Sequence, residues 1–196
     1  KQGCGACCRQ LVPISEIETR RLAEVVGDMP EPRKSKILAR FEEARMRLQE
    51  AGLLEKLRRP NSVRDEEVDP LGLEYFRQGI ACPFLEEESC SIYAERPLAC
   101  REYPVVTPAE NCAKPTVDSI ESVKLVARVA KTVRGLDAER SREGARWVPL
   151  ILALEWAETH PDETLQSLGT DLVRDVFDRL MRRNAAAAKE GGGSGS

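Results

Sequence analysis

The chain has 196 residues, of which 41% are hydrophobic and 32% charged, and its formal net charge is −3. This is the composition of one ordinary globular domain with a sizeable core, and a nearly balanced charge with no basic run argues against nucleic acid as a partner. No apolar stretch reaches membrane-spanning length and no secretory h-region is present, so a cytoplasmic protein with no membrane partner is expected.

The chain opens on GCGACCR (residues 3–9), which places Cys4, Cys7 and Cys8 within five positions. Ser15 and Glu18 then form a capping box ahead of Ile17, Leu22, Val25 and Val26, a helix that Pro30 stops. Ile37, Phe41, Ala44 and Leu48 mark one face of a second helix ending near Gly52. Residues 58–69 are polar, contain Pro60 and Asn61, and read as a loop before a short helix over residues 71–78. The stretch 81–112 carries Cys82, Cys90, Cys100 and Cys112.

Beyond it, Ile120, Val123, Val126, Ala127, Ala130 and Val133 predict a helix ending at Gly135. Trp147, Leu150, Ile151 and Leu154 predict the next. Leu165, Leu168, Leu172, Val176 and Leu180 predict the last, opened by Pro161. No strand-like alternation of comparable length competes. The fold expected is all-α: a helical bundle over residues 1–190, with metal-binding loops at the N-terminus and mid-chain (segments 3–9 and 81–112). The closing GGGSGS, residues 191–196, reads as an engineered flexible linker.

Seven cysteines against one histidine decide the chemistry. An odd count, with Cys7 beside Cys8 and a chain well above mini-protein size, fits a disulfide framework badly and metal ligation well. A C-x2-C spacing turns two sulfurs toward one ion, and an all-sulfur donor set selects zinc, an iron–sulfur cluster or copper(I). Candidate ligands are Cys4, Cys7, Cys8, Cys82, Cys90, Cys100 and Cys112. Adjacent side chains usually diverge, so Cys7 and Cys8 are expected to serve different purposes. Four thiolates around zinc or a cubane core leave a charge near −2, which calls for nearby cations and donors. Arg96 and Arg101 are the candidates for that role, with Tyr93 and Tyr103 packing beside the sulfurs. His160, beside Pro161, reads as structural.

Cys4, Gly5, Cys7 and Cys8, followed by CPFL at residues 82–85, Cys90, and IYAERPLACREYP at residues 92–104, resemble the CxxCxxCC cysteine-cluster family, which includes flagellin lysine N-methylases. The resemblance rests on the two cysteine segments. It implies a zinc- or iron-chelating domain, an iron–sulfur cluster (4Fe-4S) in the methylase branch, and a protein or peptide substrate. The family's first cysteine would fall on Lys1, so that ligand is missing, Cys112 takes up its role, or truncation has altered this end. No glycine-rich strand-to-helix turn, no C-x3-C-x2-C loop and no Cys/His pair accompanies the motif. An enzymatic role therefore rests on the resemblance alone. The competing expectation is a non-catalytic zinc-stabilised helical scaffold or adaptor.

Overall fold

Ser15 opens the first helix in the computed structural model, which describes residues 3–116, 119–140, 145–160 and 169–191. Its hydroxyl accepts from the Glu18 backbone while the Glu18 carboxylate accepts from the Ser15 N–H, so both halves of the capping box are present at the head of α1 (Glu16–Gly27). Leu22 and Val26 are buried as expected, but Ile17 is 53% exposed and Glu16 takes its place in the interior. Glu16 earns that place by accepting the Ala145 N–H at 2.8 Å.

The second helix, α2 (Arg33–Glu50), buries all four residues of its predicted stripe. It joins two hydrophobic clusters. Ala44 and Leu48 pack with Leu54, Leu57, Leu71, Tyr75 and Ile151, while Ile37 and Phe41 pack with Ile14, Leu22, Val26 and Phe84. Phe41 and Phe84 meet edge to face, with ring centroids 5.5 Å apart.

The supposed loop 58–69 is partly helical. After α3 (Leu54–Arg58) and a 3-10 turn at Pro60–Ser62, α4 runs over Asp65–Arg77. Asp65, Glu66 and Glu67 fill its first turn, where carboxylates suit the free N–H groups, and Pro70 lies inside the helix, where it leaves the Glu66 carbonyl without its i+4 donor. The mid-chain segment then supplies the ribbon β2 (Leu85–Glu86) with β3 (Ser89–Cys90), and the short helices α5 (Leu98–Arg101) and α6 (Ala109–Ala113).

The helix predicted over Ile120 to Val133 is the largest correction. Only its second half is helical, in α7 (Val129–Arg140), and Gly135 lies inside the helix instead of ending it. Val105 bridges to Ser122, Val106 donates to Glu121 and Val123 donates to Pro104, which draws the residues before α7 into extended backbone. Val126 is 89% exposed in consequence. Glu102 sets the true start: its carboxylate accepts the backbone N–H groups of Val129, at 2.7 Å, and Ala130.

The stripe Trp147 to Leu154 also begins differently. Val148 and Pro149 form β4, paired antiparallel with β1 (Pro13–Ile14). A 3-10 turn at Leu150–Leu152 follows, and α8 spans Ala153–Thr159. His160 stacks on Trp156 with centroids 4.4 Å apart, which is a packing role. The last described helix, α9 (Gly169–Gly191), packs on α7, and Leu172, Val176 and Leu180 are half-buried there. It runs one residue into the run read as a linker. Pro161, Leu165 and Leu168 lie outside the described residues, as do residues 192–196. Among the described residues the strands are confined to two short ribbons, the architecture is mostly helical, and no helix is long and apolar enough to cross a membrane.

Candidate metal centre

Phe84 and Ile92 anchor the mid-chain cysteine segment in the core, and α1 and α2 add polar contacts to it. Arg33 donates to the Ser91 carbonyl at 2.8 Å and Arg40 to the Pro83 carbonyl at 3.0 Å. Glu18 accepts the Leu98 N–H at 2.6 Å, and Arg21 pairs with Glu95 at 3.2 Å. On the inner side, Cys82, Cys90 and Cys100 pack against the cluster built on Ile14, Leu22, Phe41 and Phe84.

The N-terminal cysteines reach this set through backbone contact. Residues Ala6–Arg9 form a 3-10 turn, and the Cys8 carbonyl accepts the Cys82 N–H at 2.7 Å. Gly5 makes the approach possible. A Cβ at Gly5 would lie 2.6 Å from the Glu88 carboxylate and 2.6 Å from a Leu85 methyl. Arg9 locks the contact with a bidentate pair to Glu88, at 2.6 and 3.0 Å. The hairpin tip itself is strained, since Glu87 and Glu88 adopt φ of 48° and 56°, values that a tight two-residue turn demands and that glycine or asparagine usually supplies.

Cys7 and Cys8 share the 3-10 turn and are coupled: the interaction between the two thiols lowers that of Cys7 to about 6 and raises that of Cys8. Burial pushes Cys82 and Cys100 up to about 12, and raises Cys90 as well. Charges on Cys7, Cys82 and Cys90 act on Cys100, and those on Cys7, Cys82 and Cys90 act on Cys8, so these thiols form one electrostatic cluster. Cys112 is buried on α6, which packs against the 3-10 turn of Cys7, and its charge neighbours are Cys4 and Cys7. Among the described residues, no three Cys, His, Asp or Glu side chains are closed up around a single point where one ion could sit. The sulfurs are neighbours, not a finished coordination shell.

The four candidate supporting residues separate as well. Arg96 acts on Cys7, Cys90 and Cys100, and its guanidinium lies 3.9 Å above the Tyr93 ring. Its Nε is shut off from solvent and has no hydrogen-bond partner. Arg101 is turned away, donating to the carbonyls of Arg96, at 2.8 Å, and Ala94; it braces the turn that carries Arg96. Tyr93 is 64% exposed and touches the centre only through Arg96. Tyr103 is half-buried, with burial raising its hydroxyl, a hydrogen bond from Gln10, and Cys112 and Cys7 as charge neighbours. Sequence reasoning missed Gly5's packing role, the Arg9–Glu88 clamp and Glu102. The clamp joins residues 79 apart, which no spacing rule connects.

The donor set fits a thiophilic metal: sulfur ligands carried on loops, a cation beside them, and a buried N–H left without an acceptor. A family model, the CxxCxxCC "putative zinc- or iron-chelating domain", matches residues 1–124. No curated protein and no solved structure matches the chain. The match covers both cysteine segments and the α1–α2 frame that holds them, which makes the chain a metal-binding protein whose metal is zinc or iron.

Proposed function

We propose that this chain, which belongs to the CxxCxxCC family of zinc- or iron-chelating domains, holds its iron as an iron–sulfur cluster of the 4Fe-4S type and serves protein or peptide modification. The observation that carries the reading is the Arg96 Nε, a buried donor beside Cys7, Cys90 and Cys100 with nothing to bond. A buried N–H without an acceptor costs about 1–3 kcal/mol, so such groups are rare unless a partner arrives with a ligand. Metal-bound thiolates would accept such a bond with either metal. A cluster also brings inorganic sulfides, which accept hydrogen bonds, and donors to those sulfurs help set the reduction potential.

In this reading Cys82, Cys90 and Cys100 are ligands, joined by Cys7 or Cys8 once the interaction between their thiols is broken. Arg96 offsets part of the thiolate charge, Arg101 holds the Arg96 turn, and Tyr93 flattens the guanidinium against its ring. Tyr103, Cys4 and Cys112 border the centre. The modification role rests on the family resemblance alone. Protein purified without oxygen should be brown and carry about four irons and four sulfides per chain. Colourless protein with stoichiometric zinc and no sulfide, from the same handling, overturns the cluster and leaves the zinc scaffold.

A further inference from the structure

An open cleft of about 730 Å³ lies between the first turns of α2 and the β2–β3 ribbon, against the outer side of the segment that carries Cys90. The helix wall presents Arg33, Lys36 and Arg40, and the ribbon wall presents Glu86, Glu87 and Ser91. Most of this charge is already engaged: Arg40 pairs with Glu86 at 3.1 Å, and Arg33 holds the Ser91 carbonyl. Lys36 and Glu87 line the same cleft, and among the described residues neither side chain is paired. The Ser91 hydroxyl also lines it, is closed to solvent and makes no hydrogen bond.

We propose that the cleft binds an extended acidic segment of a partner protein, its carboxylates on the α2 wall and its backbone N–H groups on Glu87. The spacing supports it. Arg33, Lys36 and Arg40 fall at i, i+3 and i+7, one face of the helix, with rises of about 4.5 and 6 Å. Alternate residues of an extended peptide repeat at about 6.6 Å, so carboxylates two residues apart match the step from Lys36 to Arg40, and the shorter step to Arg33 is left to a longer reach of its side chain. The facing carboxylates separate a peptide from a polyanion: Glu87 accepts from peptide N–H groups, whereas a phosphate backbone offers no donors and is repelled by it. The inference goes beyond the metal reading and is independent of which metal is held.

Fluorescence anisotropy tests it on the metal-loaded full chain, with a short fluorescein-labelled peptide alternating Glu and Ser as probe. Saturable binding that weakens with salt is expected, and a peptide alternating Lys and Ser should not bind. Lys36→Glu touches no contact within the fold and should weaken binding by about tenfold, since it turns one attraction into a repulsion. Lys124→Glu makes the same charge change outside the cleft and should stay within about twofold. Equal binding of the lysine peptide, equal effects of the two variants, or citrate binding as tightly as the peptide and displacing it would each overturn the proposal.

Discussion

The α1–α2 frame and the cysteine segment are held together by opposite means. In α2, Ile37, Phe41, Ala44 and Leu48 are each no more than 6% exposed, and order follows from apolar burial at helical spacing. Between Cys82 and Cys100 the chain has two-residue strands and one-turn helices, and outside its core anchors Phe84 and Ile92 the backbone is fixed by single hydrogen bonds that Arg33 and Arg40 donate and Glu18 accepts. The frame is built to stand without metal. The cysteine segment is built to receive one, with half-buried thiols and an unanswered donor among them.

The largest expected effect is on the cysteine side. Cys82→Ser, Cys90→Ser or Cys100→Ser should abolish metal binding, read by elemental analysis, and should open the mid-chain segment to protease while helical circular dichroism largely survives. On the frame side, Leu48→Ala should lower stability by about 2–5 kcal/mol, read by denaturant unfolding, with metal stoichiometry at the folded baseline unchanged. If Cys90→Ser melted the helices as thoroughly as Leu48→Ala, the two regions would be one cooperative unit.

Arg96→Ala should weaken metal retention about 10–100-fold and, with an iron–sulfur cluster, lower the reduction potential, because removing a nearby cation disfavours adding an electron. Arg101→Ala should do less, since its donors are spent on the carbonyls of Ala94 and Arg96. Gly5→Ala forces a Cβ against Leu85 and Glu88 and should cost about 1–3 kcal/mol, seen as a lower midpoint for metal loss.

The smallest effect is on pH dependence, and its sign differs between the loaded and metal-free forms. Burial holds the thiols of Cys82 and Cys100 near 12, above the ordinary value of 9.0, so both stay protonated at neutral pH in the metal-free protein. Each that becomes a ligand releases its proton, so metal affinity should rise with pH and fall with acid, as competitive titration would report. The metal-free fold runs the other way. Its stability from these raised values is complete below about 9 and declines as pH climbs toward 12, because unfolding lets the thiols ionise.

How far the sequence carried follows the same division. The Ser15 box and the α2 stripe were legible because the local signal and the burial agree. Ile120, Val123, Val126 and Ala127 have the same period, yet the antiparallel pairing of residues 105–106 with 121–122 takes that backbone first, and the Glu102 carboxylate starts α7 at Val129. Periodicity says which residues could share a face and nothing about a competing strand. At the centre, the residue types in the motif announced metal chemistry, but not that Cys7 and Cys8 would be coupled, nor that Arg96 turns inward and Arg101 does not. Those outcomes depend on a 3-10 turn and on carbonyl positions, which appear only in three dimensions.

Backbone hydrogen exchange, compared between metal-loaded protein and the same protein stripped by a chelator under reductant, tests the division most directly. Residues 82–101 should lose protection when the metal leaves, while α2 around Phe41, Ala44 and Leu48 keeps it. Equal loss of protection in α2 and in the cysteine segment would contradict a self-standing frame that holds a metal-dependent loop.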